Sequence, residues 1–117
     1  MIETILLLLF TKHFVIDFLL QKPYQYLNKG TYGHPGGIFH AALHGIGTFL
    51  CFFWFAPAVA FYLACADSII HYHIDWAKVK INTVMKWKPD THEQYWWLLG
   101  LDQYLHALTY LFLVSII

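Results

Sequence analysis

The chain has 117 residues, enough for one domain. At 59% hydrophobic, 20% aromatic and only 12% charged residues, it is too apolar for an ordinary soluble domain, which carries about 25% charged residues. Formal net charge is zero and the seven basic residues are all lysine, so no broad positive field exists to steer nucleic acid, and no such partner is expected.

The first apolar stretch, residues 2–20, lacks the basic n-region and small-residue cleavage site of a secretory signal and reads as a retained membrane helix. It carries His13 and Asp17, with Gln21 one turn further on. Residues 22–36, rich in Gly, Pro, Asn and Tyr, read as a loop. A second span, 37–55, carries His40 and His44. It ends at a tight Ala56-Pro57 turn, where proline can open the next helix. The third, 58–76, carries Asp67, His71 and Asp75, with Lys78 continuing that face. Residues 78–94 mix lysine with Val, Ile, Met and Trp, as an interfacial amphipathic segment broken at Pro89 would. The fourth span, 95–117, carries Asp102 and His106.

Each span approaches the roughly 20 residues that cross a 30 Å hydrocarbon layer. The predicted fold is therefore all-α: one domain over residues 1–117, a polytopic membrane protein built as a four-transmembrane-helix bundle. Cys51 and Cys65 fit neither a disulfide framework nor a zinc motif and read as buried small hydrophobes.

Lysine placement orients the chain. Lys22 and Lys29 lie in the first connection, and Lys78, Lys80, Lys86 and Lys88 in the third. The second connection and both termini have none. The positive-inside rule then puts the first and third connections in the cytoplasm and both termini outside, in a bacterial inner membrane. Tyr24, Tyr26, Tyr32, Trp76, Trp87, Trp96 and Trp97 flank those same connections as an interfacial aromatic belt.

The polar pairs recur at i, i+4 in all four spans, which puts both members on one helix face. Most lie about three to eleven positions from the cytoplasmic ends, or roughly 5–16 Å deep. Such residues are costly in lipid unless paired, hydrated or metal-bound, and bundle cores host metal sites of this composition. The predicted ligands are His13, Asp17, His40, His44, Asp67, His71, Asp75, Asp102 and His106. They are enough for one or two divalent transition metals, zinc first and Mn, Fe or Co as alternatives. The bland alternative is a set of interhelical hydrogen bonds without metal. His73, about 200° around the helix from His71, reads as interfacial.

The segment His13-Phe14-Val15-Ile16-Asp17-Phe18-Leu19-Leu20-Gln21 resembles the opening motif of the DUF3307 family of small bacterial and phage membrane proteins. The pair His40/His44, the run His71-x-His73-x-Asp75-x-x-Lys78 and Asp102-Gln103-x-x-His106 resemble the rest of its pattern. The family has no established activity, so the resemblance supports the site and not a reaction. A looser similarity, of site style only, links the chain to membrane-bound metal-dependent hydrolases of the YdjM type.

The function expected is a metal-dependent hydrolase acting on a lipid or phosphate-containing substrate at the cytoplasmic face. Asp75 or Asp102 would be the general base, and Lys78 the partner of substrate phosphate. The alternatives are an ion- or proton-handling module, a phage envelope interaction protein, or a bundle with a purely structural metal. Membrane lipid is the expected partner, with a homo-oligomer as the further association to consider.

Overall fold

A computed structural model describes residues 1–117 and is all-helical. The helices are α1 (Ile2–Phe14), α2 (Pro23–Tyr26), α3 (Pro35–Phe53), α4 (Pro57–Met85) and α5 (Glu93–Ser115). The α1 helix continues into a π-helical turn over Val15–Leu19, closed by the Leu20 N–H donating to the Val15 carbonyl at 2.9 Å. Such turns concentrate at functional sites, and Asp17 stands in this one. Three helices open on proline, at Pro23, Pro35 and Pro57, where the ring fixes φ and the missing N–H costs nothing.

Four long helices pack side by side: α1 against α3 and α5, α3 against α4, and α4 against α5. The α3/α4 contact is the most extensive. A Cβ on Gly45 would lie 3.2 Å from the Ala64 carbonyl and overlap the Ser68 hydroxyl, so only glycine permits this approach.

The interior has two zones. One is apolar, formed by Ile5, Leu9, Phe52, Leu63, Leu113 and Val114 with Tyr110 at its edge. The other is polar, so that 14 of the 29 buried residues are polar or charged. Meanwhile Leu7, Phe61 and Phe112 point outward, each more than half exposed.

Several boundaries differ from the sequence reading. The first connection is not all loop, because α2 forms within it and α3 starts at Pro35. It closes through Gly33, at φ 85°, in the left-handed region that glycine occupies freely. The third span does not stop at residue 76. No proline or glycine interrupts 57–85, so α4 runs 29 residues and absorbs much of the segment read as interfacial. It ends at Lys86, φ 57°, ahead of Pro89, with the Trp87 N–H donating to the Asn82 carbonyl at 3.1 Å. That is a Schellman-type closure. Cys51 is buried as expected, whereas Cys65 lies on the outer surface, because its position on α4 faces away from the helices it packs against.

One helix, Pro35–Phe53, is long and apolar enough to cross a membrane, with mean hydropathy 1.4. The α1 helix proper has 13 residues, and the polar side chains of the site lower the average of α4 and α5.

Candidate metal centre

Two groups of buried ligands could hold a metal ion: Asp17, His40, His44 and His71, and then His71, Asp75 and His106. They come from the π-helical turn, α3, α4 and α5. Asp17 Oδ1 lies 2.9 Å from His40 Nε2, 2.7 Å from His44 Nε2 and 3.6 Å from His71 Nε2. His40 and His71 present their Nε2 atoms to each other at 3.3 Å. These separations bracket the ~3.3–3.4 Å edge of a tetrahedron with ligand bonds of 2.0–2.1 Å. In the second group, Asp75 Oδ2 is 3.1 Å from His71 Nε2, and Asp75 Oδ1 is 3.3 Å from His106 Nε2. The rings of His44, His71 and His106 stack, with centroids 3.6 and 4.1 Å apart.

Hydrogen bonding at His40 leaves a conflict that a cation would relieve. The Gln25 amide nitrogen donates to the Leu20 carbonyl at 3.3 Å, which turns Gln25 Oε1 toward His40 Nδ1 at 2.8 Å. An amide oxygen only accepts, so His40 Nδ1 carries the hydrogen. The Nε2 of a neutral His40 would then aim a lone pair at Asp17 Oδ1, 2.9 Å away, and at Asp75 Oδ2, 3.4 Å away. Either a second proton on His40 or a metal ion between these atoms removes the conflict. An outer-shell hydrogen bond that fixes a histidine tautomer is a standard support for metal ligation. The donor set fits: imidazole with carboxylate, and buried Asp75 Oδ2 and Asp102 Oδ1 without a well-directed hydrogen bond.

His13, Asp67 and Asp102 belong to neither group and flank the cluster. His13 pairs with Asp17 Oδ2 at 3.1 Å, and its ring also contacts Tyr110 Oη at 2.7 Å and Gln103 Oε1 at 2.9 Å. Asp67 accepts from Lys12 Nζ at 2.8 Å and from the Thr48 hydroxyl. Lys12 Nζ also reaches His44 Nδ1 at 3.0 Å. An ammonium there makes His44 Nδ1 the acceptor and leaves its Nε2–H to donate to Asp17. Ligation through His44 Nε2 therefore requires Lys12 to yield its hydrogen bond or its proton.

Asp102 accepts from Lys78 Nζ at 3.2 Å and from Gln103 Nε2 at 2.9 Å, while its other oxygen lies 3.3 Å from His106 Nε2. Asp75 pairs with Lys29 Nζ at 2.9 Å. His73 faces outward, near Tyr32 Oη at 2.9 Å, as its angle on the helix predicts.

Sequence reasoning missed Lys12, Gln25, Lys29, Thr48 and Tyr110. Lys12 had a usable signal, because a lysine in the middle of an apolar run is itself a mark of function. Gln25 and Lys29 sit in a connection and had none.

Two hollows adjoin the cluster. A cleft of about 560 Å³ on the lysine-bearing side is lined by Gln21, Lys29, Lys78, Asn82, Lys86 and Lys88, with Tyr26, Trp87 and Tyr95. A groove of about 510 Å³ between α4 and α5 is lined by isoleucines and leucines, together with Lys78 and Asp102.

Fold and site together define an all-helical protein with a buried histidine–aspartate centre able to hold a metal ion. Residues 5–117 match the family described as "Protein of unknown function (DUF3307)", and the chain belongs to that family. No curated protein and no solved structure matches it.

Proposed function

We propose that this protein is a membrane-embedded, metal-dependent hydrolase. Its substrate is a phosphate ester presented at the lysine-bearing face of a four-helix bundle. The His40 conflict carries the metal reading: a buried imidazole aimed at two carboxylates calls for a cation. Carboxylate with imidazole suits Zn, Mn, Fe or Co, as one or two ions. His71 belongs to both groups and its Nε2 can serve only one ion, so a second would be left with Asp75 and His106.

Four membrane spans are supported by large outward apolar side chains around a polar interior, an arrangement suited to lipid and not to water. The distribution of lysines argues for the cytoplasmic side as the site's open face, for both termini outside, and for a bacterial inner membrane.

When bound, the metal would supply an acidified water and polarise the phosphoryl oxygen. Asp102 is the better general base, because it stands outside both ligand groups with one buried oxygen free of a directed hydrogen bond. Asp75 is committed to the ligand set and to Lys29. Lys78 pairs with substrate phosphate, and its bond to Asp102 positions that carboxylate. Water oxygen bonds to phosphorus, the ester P–O bond breaks, and the proton taken by Asp102 passes to the departing alcohol oxygen.

A transport role finds less support. The polar network runs from the cluster through Lys12 to Asp67 and Thr48, and beyond them the interior is the apolar cluster of Phe52 and Leu63.

The test is elemental analysis of the purified protein, followed by turnover of phospholipids, isoprenoid phosphates and soluble phosphoesters with each of the four metals. Metal is expected at one or two ions per chain, and Asp102→Asn should lower turnover about 10²–10⁴-fold. Metal-loaded protein that hydrolyses none of these would sink the hydrolase reading.

A further inference from the structure

The two hollows beside the cluster are not independent. Lys78 lines both of them, and it is the only charged residue that does. On one side of it lies a cleft with three further lysines, Lys29, Lys86 and Lys88. On the other lies the α4/α5 groove, walled by Ile70, Ile74, Ile81, Leu98 and Leu101. A ligand filling both would be anionic at one end and a hydrocarbon chain at the other, with the junction at the Lys78 ammonium.

We propose that the cleft and the groove form one bipartite site for an anionic phospholipid. Its phosphate lies among Lys78, Lys86 and Lys88, and an acyl chain lies in the α4/α5 groove. This deepens the hydrolase reading by naming the substrate class, and it rests on that reading only for turnover. Binding stands without it.

The experiment titrates the protein as purified, in nonionic detergent, with phosphatidylglycerol, phosphatidylmethanol, diacylglycerol and soluble glycerol 3-phosphate. Native mass spectrometry reads bound ligand, and lipid mass spectrometry of the same samples reads products. Phosphatidylglycerol should bind about tenfold or more tighter than diacylglycerol, as expected for charge-assisted hydrogen bonds to phosphate. Phosphatidylmethanol, of equal charge, should bind within about threefold of it.

The double variant Lys86→Gln/Lys88→Gln should reduce the preference over diacylglycerol severalfold, leaving what Lys78 supplies. Ala77→Trp, in the groove wall, should weaken phosphatidylglycerol and leave glycerol 3-phosphate unchanged. Equal binding of phosphatidylglycerol and diacylglycerol would overturn the proposal, as would glycerol 3-phosphate binding as tightly as the lipid, which would mark a soluble phosphate ester as the ligand. Lipid bound without any product would count against the hydrolase alone. Turnover of soluble esters without lipid binding would count against this site alone.

Discussion

Replacing Asp17 with asparagine preserves the side chain's shape and removes its charge, at the point where four imidazoles converge. Asp17 Oδ1 faces His40 at 2.9 Å, His44 at 2.7 Å and His71 at 3.6 Å, and Oδ2 faces His13 at 3.1 Å. The residue is 6% exposed, so water cannot replace the lost carboxylate. Removing one partner from a buried charged cluster costs about 3–5 kcal/mol. If that cost falls on the metal-bound state, affinity for the ion drops about 10²–10³·⁵-fold, enough to strip a micromolar site during purification.

The assay is metal content by elemental analysis, with affinity from competition against a chelator. Asp90→Asn serves as control, because Asp90 is exposed and outside the cluster. The control should retain full metal content. A parallel thermal melt with and without chelator separates metal binding from hydrogen-bond glue. Wild-type protein should lose stability on chelation, by about 2.7 kcal/mol where free metal had stood at 100 times its dissociation constant, and Asp17→Asn should not respond. If Asp17→Asn keeps wild-type affinity within about threefold, Asp17 is no ligand and the reasoning from its geometry fails. If wild-type protein carries no metal and its melt ignores chelator, the cluster is held by hydrogen bonds and protons alone.

Two further outcomes follow from residues around the cluster. Gln25→Leu removes the acceptor that fixes the His40 tautomer at 2.8 Å. Metal affinity should fall about 10–100-fold, and unchanged affinity in the chelator competition would refute the outer-shell role. Lys12→Met leaves Asp67 as an unpaired buried charge and should destabilise the protein by about 3–5 kcal/mol, whereas Lys12→Met/Asp67→Leu should recover most of it. A denaturation series in which the double variant is no more stable than the single would show that the pair does more than neutralise itself.

The chain itself determined the helices and the faces they present. Proline at 23, 35 and 57 opens three of them, and the i, i+4 spacing of His and Asp forces each pair onto one side of its helix. Four such faces in apolar helices have few places to go other than toward one another. That is why a buried His/Asp cluster, and the outward turn of His73, were legible in the sequence.

Tertiary packing decided the rest, because it depends on atoms distant in sequence. Spacing alone allowed all nine residues to ligate. Packing brings six of them into two groups and leaves His13, Asp67 and Asp102 to hydrogen-bond around them. Lys12 meets Asp67, 55 positions away, and Lys29 folds back from a connection onto Asp75. Nor could local pattern show that the first helix widens into a π turn at Asp17. The His/Asp pairs were a property of helical periodicity. The orientation of the His40 ring, fixed by a glutamine from a connecting segment, is a property of the fold.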